Sequence, residues 1–550
     1  MAEMSAEVVD VIVVGCGPVG AIAANYLGLQ GLRTLVIERD LSTFSIPRAF
    51  SCDDEAQRNF QAAGLEGELA VDLWPCKDMQ YIDGAKRVLG TVPIHELDFG
   101  LSHPALSFFN QPQLEGVLRK GLERFPHAEL RLGHELVSFT QDADFVTTQI
   151  QDRRTGRSRE VRARYLLGCD GSHSTVRALM GVKMMGTSYE EPWIAISGTT
   201  SVPEPDFTYY VCDPQRPGFV TRCVYNEVRM DFLLQENERT EIMERQEVVE
   251  KLLAPFVDPK KVQLQRASVF TFQAKVAERW RDRRVFLLGD AAHVMPPFAG
   301  QGLCSGIRDA MNLSWKLALV SRGAAGDALL DTYERERHPH AVDMIKTTIA
   351  LGKVLLARNR VVAFLRNALL KVLFQIPRTR RFMRNYEFKP KAFLSHGLIA
   401  GGQRRKGNVA EGDYFPQPQV ALADGKVARL DDVSGRGFTV FTSADAPDTV
   451  RKSAEALARE VGGVWLRILP AERASEARAG DVVDSSGKLQ AWFVQYQADA
   501  AILRPDRYVY GASQGAGIEQ LREELRRFIH LPTAARAEEA PSRALLPSSA

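Results

Sequence analysis

Short apolar runs recur along the first 290 positions and have the pattern of buried strands. They span residues 8–14 (VVDVIVV), 35–37, 165–167 and 285–288. Between the first two runs, residues 21–30 have a helical pattern that closes at Gly31. A strand, a glycine turn, a helix and a strand predict a βαβ unit, which requires a parallel sheet. Several of these runs are followed by glycine or acidic residues. These residues would lie at the carboxyl ends of the strands, where open α/β sheets bind ligands.

The polar and apolar pattern changes after residue 190. Residues 228–234 (VRMDFLL) and 269–276 (VFTFQAKV) alternate, which predicts a half-exposed antiparallel sheet inserted into the first domain. From residue 331 to about 374 the pattern is helical and rich in Leu, Val and Arg. It predicts helices that pack on the main domain, with a basic helix on a membrane surface as the alternative.

Strand-like runs return after residue 426, at 430–442, 462–469 and 491–511. They predict a separate small α/β unit that resembles a thioredoxin-like domain. It contains no cysteine, so we expect a structural or oligomer-forming role rather than thiol exchange. The predicted organisation starts with a discontinuous α/β domain (1–75, 105–185 and 278–345), into which a sheet domain is inserted (76–104 and 186–277). A helical segment with a linker (346–410), the thioredoxin-like domain (411–533) and a disordered tail (534–550) follow.

The amino-acid composition is that of a globular protein. Of 550 residues, 45% are hydrophobic and 25% are charged, and 70 Lys and Arg against 68 Asp and Glu leave a net charge of +2. These values are typical of a globular chain of two or three domains and indicate no nucleic-acid partner. The first ten residues carry acids rather than the cations of a secretory signal, and no apolar run is long enough for a membrane span. We therefore expect a cytoplasmic protein.

The cysteines are seven in number and scattered, without a CxxC pair. This pattern favours reduced thiols over disulfides or a zinc site. A disulfide reductase would need a redox pair and a second nucleotide motif, and the sequence has neither.

Residues 15–20 (GCGPVG) form a G-x-G-x-x-G motif between a strand and a helix. Gly15 permits the tight turn, Gly17 lets the backbone approach a pyrophosphate, and Gly20 allows close packing of helix and strand. Glu38 ends the second strand, where a carboxylate accepts hydrogen bonds from ribose hydroxyls and repels a 2′-phosphate. The motif therefore predicts FAD or NAD rather than NADP, the alternative being a purely structural turn.

The stretch 287–302 (LLGDAAHVMPPFAGQG) places an acid at the end of a buried strand, followed by two prolines and a glycine-rich turn. An acid there is costly to bury unless a ligand binds it. Asp290 suits the hydroxyls of a ribityl chain, and the turn at Gly300 and Gly302 could lie against a planar ring. These features favour FAD.

The sequence contains three motifs in the order GCGPVG (15–20), CDGSHSTVR (169–177) and GDAAHVMPPFAGQG (289–302). With these motifs it resembles the class A flavoprotein aromatic hydroxylases. Stretches such as PRAFSCDDEA (47–56) and RPDRYV (504–509) are similar to the members of that family that act on hydroxyphenyl propionates. The resemblance extends to about Gly511. It implies a Rossmann-like FAD-binding domain with an inserted mixed or antiparallel sheet for the substrate, a helical segment and the thioredoxin-like domain.

The resemblance also implies which residues bind FAD. Glu38 and Arg39 would hold the adenosine ribose, Arg48 the pyrophosphate, and Gln111 the flavin side. Asp170 would touch FAD and the path of the nicotinamide. The implied FAD-binding residues are Gly15, Gly17, Pro18, Val19, Gly20, Glu38, Arg39, Arg48, Gln111, Asp170, Gly171, Gly289, Asp290, Pro297, Gly300, Gln301 and Gly302.

Alternatives remain for several of these residues. Arg48 could form a surface salt bridge. Asp170 and Gln111 could each cap the helix that follows. His293 is interpreted as a packing residue rather than a proton shuttle.

The activity implied by the resemblance is hydroxylation of a phenolic acid ortho to its hydroxyl, with FAD, NADH or NADPH, and O₂. The expected substrate is 3-(3-hydroxyphenyl)propionate or 3-hydroxycinnamate in aromatic catabolism, with another phenol or an aromatic polyketide as the alternative. Asp53 is the candidate that contacts the phenol, with Asp54 second, although adjacent acids are also common at a helix N-terminus. Arg216 and Arg222 are candidates for binding the substrate carboxylate, or are solvated.

Two further readings stay open at this point. A non-catalytic flavin-binding sensor would share the motifs, and a homodimer is plausible. A halogenase is disfavoured because PWIAIS (192–197) departs from its W-x-W-x-I-P segment.

Overall fold

The computed structural model describes residues 7–43, 49–202, 208–384 and 392–530. The predicted ligand Arg48 and the predicted tail 534–550 lie outside the described residues. The chain forms two compact units, Met1–Trp315 with Tyr333–Lys391, and Lys316–Thr332 with Ala392–Ala550.

The strands described in the first unit are β1 (Glu7–Val14), β2 (Thr34–Glu38), β3 (Ser51–Asp53), β4 (Trp74–Pro75), β5 (Met79–Ile82), β6 (Val88–Val92), β7 (Leu106–Phe108), β8 (Ala128–Leu132), β9 (His134–Gln141), β10 (Val146–Asp152), β11 (Ser158–Gly168), β12 (Met184–Thr200), β13 (Thr208–Val211), β14 (Gly218–Arg222), β15 (Glu227–Leu233), β16 (Val262–Ala277), β17 (Arg281–Asp282), β18 (Val285–Leu287) and β19 (His293–Val294). Those described in the second unit are β20 (Gln419–Leu422), β21 (Val427–Arg429), β22 (Thr439–Ser443), β23 (Val464–Pro470), β24 (Asp481–Asp484), β25 (Ala500–Leu503) and β26 (Val509–Ser513).

The described α-helices are α1 (Pro18–Leu29), α2 (Asp54–Ala62), α3 (Glu66–Leu69), α4 (Gln111–Lys120), α5 (Thr175–Leu179), α6 (Thr240–Met243), α7 (Gln246–Leu253), α8 (Gln301–Ser321), α9 (Ala328–Leu355), α10 (Arg360–Gln375), α11 (Pro377–Arg384), α12 (Leu430–Ser434), α13 (Asp448–Glu460), α14 (Lys488–Tyr496) and α15 (Gly517–Leu525).

The first sheet contains the predicted parallel strands β18, β11, β1 and β2, a further parallel strand, β8, and the strands β17, β10 and β9, which pair antiparallel. Its strand order is β17-β18-β11-β1-β2-β8, and β1 pairs in parallel with both β11 and β2. Val14 is the register partner of Gly168 and of Ile37, and Gly168 is the partner of Leu287. Because these parallel strands end at the same level, the residues that follow them meet at one edge of the sheet.

The second sheet has the order β19-β16-β12-β15-β14-β13-β5-β6 and is antiparallel except where β13 pairs with β5. It confirms the predicted insertion, but the expected half-exposure is wrong for β15. Every residue of β15 after Glu227 is buried. Met230 and Phe232 pack against the core of α6 and α7, while Leu233 packs with Trp193 on the other side. Both faces of this strand are therefore covered.

The predicted helical segment is formed by α9, α10 and α11. Pro339 lies inside α9. Within the described part of the chain, no helix combines the length and the apolar character that crossing a bilayer requires.

The second unit contains a seven-stranded sheet with the order β21-β20-β24-β23-β22-β25-β26. Its centre is parallel, since β23 pairs in parallel with β22 and with β24. Phe441, Ile468, Val482 and Trp492 belong to its core. This is the small α/β unit that the C-terminal pattern predicts.

Candidate active site

A groove runs along the carboxyl edge of the parallel sheet, and the glycine turn after β1 forms its floor. Gly15 has a φ of +93°, and a Cβ there would lie 2.6 Å from the carbonyl oxygen of Cys169. A Cβ at Gly20 would lie 1.9 Å from the carbonyl oxygen of Gly15. At Gly17 a Cβ would meet nothing within 4 Å. Gly15 and Gly20 are thus required by the fold, whereas Gly17 faces open space in the groove.

The N-terminus of α1 opens into this groove. The helix begins at Pro18, its N-cap Gly17 makes no side-chain capping bond, and its first turn holds no acid. Gly17, Pro18 and Val19 all line the groove. An uncapped helix N-terminus carries N–H donors and a partial positive charge, which suit a pyrophosphate.

Glu38 lies at the end of β2 and lines the same groove with Arg39. One carboxylate oxygen accepts a hydrogen bond from the backbone N–H of Cys16 at 2.8 Å, and the other from Asp40 at 3.0 Å. These bonds fix the carboxylate and leave lone pairs for ribose hydroxyls.

Gln111 is the first residue of α4 and also lines the groove. Its Oε1 accepts a hydrogen bond from the N–H of Ala49 at 2.8 Å, and its Nε2 donates to Glu115 at 2.7 Å. The capping alternative for Gln111 is wrong, because the N-cap of α4 is Asn110, whose side chain accepts from Gln113.

Asp170 and Gly171 follow β11 and line the groove. The carboxylate of Asp170 accepts hydrogen bonds from the hydroxyl of Ser174 at 2.5 Å and from the N–H of Val176 at 3.1 Å. Ser174 is the N-cap of α5, so Asp170 stabilises the start of this helix without being its N-cap. Burial raises the pKa of Asp170, against the opposing effect of these hydrogen bonds. The structural role and a place in the groove coexist.

The segment 289–303 follows β18 and separates the groove from a second cavity. Asp290 is exposed and lines the groove, as do Gly302 and Leu303. Pro297 and Gly300 line the cavity instead. Gly289 is buried behind the groove, where its N–H donates to Asp309 at 3.1 Å.

A buried ionic cluster supports this segment from below. His293 Nε2 lies 2.7 Å from one carboxylate oxygen of Asp309, and Arg337 donates to the other at 2.8 Å. Burial alone would raise the pKa of Asp309, but the charges and hydrogen bonds of His293 and Arg337 outweigh it and lower that pKa to about 2. His293 also packs against Trp280, with ring centroids 5.1 Å apart. It is fully buried, consistent with the packing role.

Asp53 and Asp54 do not line either space. Asp53 is the N-cap of α2, and its second oxygen accepts hydrogen bonds from Arg308 at 2.5 Å and from Gln301 at 3.2 Å. Asp54, in the first turn of α2, is equally buried. The prediction that Asp53 meets the phenol is therefore not supported by its position, because its carboxylate is occupied inside the protein.

Asp53 instead reaches the glycine turn through its partners. Arg308 bridges Asp53, Glu55 and the side-chain oxygen of Gln301, the last at 3.1 Å. Gln301 lies between Gly300 and Gly302, so this buried network holds the turn. The predicted cofactor ligand Gln301 is thus a support of the groove and not part of its lining.

The second cavity lies beside the groove, between the second sheet and the end of α9. Its lining is mainly aromatic and aliphatic, and the lining residues are Phe50, Ser51, Met79, Leu106, Phe108, Trp193, Thr208, Tyr210, Gly218, Phe219, Asp231, Phe272, Pro297, Phe298, Gly300, Gly352, Leu355 and Leu356. Tyr210 donates its hydroxyl proton to the carbonyl oxygen of Phe298 at 3.0 Å. Such an apolar space with few polar groups is typical of a site for an aromatic ligand.

The predicted carboxylate ligands Arg216 and Arg222 do not line this cavity. Arg216 forms a double hydrogen bond with Glu238, at 2.7 and 2.5 Å. Arg222 donates to Asn226 and lies 5.4 Å from the centre of the Trp74 ring. Among the lining residues that the structure describes there is no Lys, Arg or His. The prediction for both arginines is therefore not supported by their positions.

Sequence reasoning missed the cavity residues and the supports of the turn. Tyr210 lies in β13, Trp193 in β12 and Phe298 in a short 3-10 helix, Pro297–Ala299, and no motif joins them. Arg308 and Asp309 stand side by side in α8, and a charged pair in an apolar helical stretch was a usable signal of buried partners.

Comparison with known families supplies the remaining evidence. Residues 8–348 match the family described as FAD binding domain, and residues 412–528 match the HcaD C-terminal domain. This chain belongs to the FAD-binding domain family. The resemblance found in the sequence is confirmed, and with it FAD as the cofactor and the predicted fold class.

Relatives in this family are similar along almost the whole chain. A 3-(3-hydroxy-phenyl)propionate/3-hydroxycinnamic acid hydroxylase of Mycolicibacterium smegmatis is 36% identical over 530 residues, which cover 95% of this chain and 94% of the relative. The enzyme of the same name from an Escherichia coli strain is 34% identical, with 91% of each chain covered. Among solved structures, the flavin-dependent monooxygenase PieE aligns with a TM-score of 0.78 at 23% identity, covering 96% of this chain and 99% of PieE. The last similarity concerns the fold.

Proposed function

We propose that this chain is an FAD-dependent monooxygenase that hydroxylates a phenol ortho to its hydroxyl, with NAD(P)H and O₂ as co-substrates. The observation that carries the proposal is the position of the segment 297–303, which lines an aromatic cavity on one side and the FAD groove on the other. A ring in the cavity would lie next to the flavin end of the groove. Bound FAD, once reduced by NAD(P)H, supplies the chemistry that transfers one oxygen atom of O₂ to the ring.

The residues of the groove suit FAD along its length. The N-terminus of α1 and the open space over Gly17 suit the pyrophosphate, and Glu38 with Arg39 suits the adenosine ribose. Asp290 suits the ribityl hydroxyls, and the turn at Gly300 and Gly302 would lie against the ring system. Asp53 acts as a positioning residue in this proposal, because it holds that turn through Arg308 and Gln301.

Tyr210 is the residue we assign to the phenol. Its hydroxyl proton is committed to the carbonyl oxygen of Phe298, so its oxygen presents lone pairs that can accept a hydrogen bond from the substrate hydroxyl. Accepting that bond orients the ring and increases electron density on it. The surrounding aromatic residues exclude water from the reacting ring.

The substrate we propose is 3-(3-hydroxyphenyl)propionate or 3-hydroxycinnamate, converted to the 2,3-dihydroxy product in aromatic catabolism. This choice is supported by the names of relatives that are 34–36% identical along nearly the whole chain. We propose a cytoplasmic location, where NAD(P)H is supplied. The predicted homodimer stays a prediction.

A neutral phenol or aromatic polyketide is the second candidate, and one observation favours it. The described lining of the cavity contains the carboxylate of Asp231 but no cation, and Arg229 is already paired with Asp231 at 3.1 Å. A substrate carboxylate held deep in this cavity would meet no compensating charge. The acid side chain of a propionate would have to point out of it.

A matched pair of substrates tests the proposal. The holoenzyme is given 3-(3-hydroxyphenyl)propionate or 3-propylphenol, which has the same ring and chain length without the charge. NAD(P)H and O₂ consumption are measured together with the hydroxylated product. We expect the acid to give the higher kcat/KM and product equal to the NAD(P)H consumed.

Two other results of this assay would favour a different function. A higher kcat/KM for 3-propylphenol would favour the neutral-phenol candidate. If no phenol accelerates NAD(P)H oxidation, the monooxygenase proposal fails and the flavin-binding sensor is favoured.

A further inference from the structure

The outward half of α10 is mostly apolar. Phe364 is 72% exposed, Val361 67% and Leu365 61%. At 100° per residue, the exposed positions of this helix and its C-cap occupy one continuous half of its surface. The exposed apolar residues on it are Val361, Val362, Phe364, Leu365, Ala368, Leu369, Val372 and Ile376. We call these eight residues the α10 face.

The opposite side of the same helix is firmly attached to the first unit. Arg366 is buried and donates to the backbone carbonyl oxygens of Cys212, at 2.6 Å, and of Leu355. Leu370 is buried and Phe374 packs 6.1 Å from Tyr81, measured between ring centres. The helix is therefore fixed with its apolar face outward, and cannot turn that face inward without breaking these contacts.

The chain around the α10 face has a strongly asymmetric charge. No Asp or Glu occurs between Asp343 and Glu387, although the whole protein is nearly balanced at +2. Exposed cations flank the face before, within and after α10. They are Lys353, Arg360, Lys371, Arg378, Arg380 and Arg381.

We propose that the α10 face binds the surface of an anionic lipid bilayer. Large apolar side chains on one half of a helix, flanked by Lys and Arg, are the features of a helix that lies in the plane of a membrane interface. The apolar side chains enter the boundary between headgroups and acyl chains, and the cations meet the lipid phosphates. A contiguous exposed apolar surface on a globular protein marks a contact with a membrane or with another protein.

A second copy of the chain is a poorer partner for this surface. Two α10 faces would bring together two sets of cations, and the sequence between Asp343 and Glu387 supplies no acid to pair with them; like charges at an interface oppose association. A transmembrane helix is also a poorer description. The 16 residues of α10 span only about 24 Å, less than the roughly 30 Å of a hydrocarbon core.

The proposed contact lies next to the cavity along the chain. Gly352, Leu355 and Leu356, at the end of α9 and just after it, line the cavity, and α10 begins at Arg360. The bilayer would thus contact the segment that directly follows this wall. Membrane binding does not depend on which phenol the cavity accepts, so its test is independent of the proposed activity.

The test is sedimentation of the FAD-loaded protein with vesicles. One set consists of phosphatidylcholine alone, and the other contains about one third phosphatidylglycerol. We expect at least tenfold stronger binding to the anionic vesicles, weakened when NaCl is raised from roughly 0.05 M to 0.5 M. The double variant Phe364→Glu, Leu365→Glu should lose at least tenfold of this binding while keeping its FAD absorbance.

Val494→Glu is the matched control, because Val494 lies on α14 and is 68% exposed, close to the 67% of Val361 on α10. This variant should bind vesicles as the original chain does. Equal binding to both vesicle types, or unchanged binding by the double variant, overturns the proposal. Failure to bind either vesicle also overturns it, and a dimer that dissociates in the double variant would assign the face to a second copy instead. Arg380→Glu with Arg381→Glu should weaken binding, whereas lysine at both positions should restore it.

Discussion

Replacing Gly17 by alanine separates the role of the glycine turn in FAD binding from its role in folding. The added Cβ would have no protein atom within 4 Å, and the backbone at Gly17 has φ −70° and ψ −175°, which alanine adopts without strain. Alanine is a poorer N-cap than glycine but restricts the unfolded chain more, and these effects of up to about 1 kcal/mol oppose each other. The stability of the apoprotein should therefore change by less than about 1 kcal/mol.

FAD binding should respond quite differently to Gly17→Ala. The methyl group would project into the open part of the groove beside the uncapped N-terminus of α1, where the pyrophosphate is proposed to lie. Displacing the pyrophosphate from one backbone N–H donor removes a hydrogen bond to a charged group, worth about 1.5–3 kcal/mol. The Kd for FAD should rise about 10- to 150-fold.

The assay is titration of the apoprotein with FAD, followed by flavin fluorescence, together with thermal unfolding of the apoprotein. Gly67→Ala in α3 is the control, because a Cβ there also has no protein atom within 4 Å and the residue does not line the groove. Gly20→Ala should behave in the opposite way to Gly17→Ala and destabilise the apoprotein, because its Cβ would lie 1.9 Å from a backbone oxygen. An unchanged Kd for Gly17→Ala would refute the proposed position of the pyrophosphate.

The remaining predictions concern Asp309, Tyr210 and two buried cysteines. Asp309→Asn should destabilise the protein by about 3–5 kcal/mol, because it leaves the buried guanidinium of Arg337 without its carboxylate partner; chemical denaturation at pH 7 measures this. The pKa of Asp309 is lowered from 3.8 to about 2 in the folded protein, so the unfolded chain takes up a proton first as the pH falls. About 2 kcal/mol of stability should therefore be lost between about pH 4 and pH 2 in the original protein. Asp309→Asn should not show this loss. Tyr210→Phe should lower kcat at least tenfold in steady-state assays while the Kd for FAD stays unchanged, since its hydroxyl is proposed to bind the substrate and Tyr210 lines the cavity rather than the groove. Burial raises the pKa of Cys16 and Cys76 to about 12, so neither should react with iodoacetamide at pH 8 until the protein is unfolded, as mass spectrometry of the labelled peptides would show.

The groove that we propose for FAD could be predicted because parallel strands bring distant motifs together by a simple rule. Each strand that ends at or just before Gly15, Glu38, Asp170 or Asp290 can be recognised locally, and parallel pairing in register places these ends at one edge. Local sequence therefore carries most of the information about this part of the site.

The cavity and the role of Asp53 were not predictable in the same way. Two adjacent acids at the start of a helix fit both an N-terminal pair and an active-site carboxylate. The structural role is decided by Arg308, which is 255 positions away. Likewise Tyr210 reaches the cavity because β13 is placed between β14 and β5, a pairing that no alternation pattern specifies. Long-range pairing of this kind leaves no local signal.

Incorporation of oxygen from ¹⁸O₂ tests the central claim most directly. The FAD-loaded protein is supplied with NAD(P)H and 3-(3-hydroxyphenyl)propionate under ¹⁸O₂, and the product is analysed by mass spectrometry. We predict a dihydroxyphenyl product that carries one ¹⁸O atom on the ring position next to the original hydroxyl. Oxidation of NAD(P)H without any labelled product from this or any other phenol tested would contradict it.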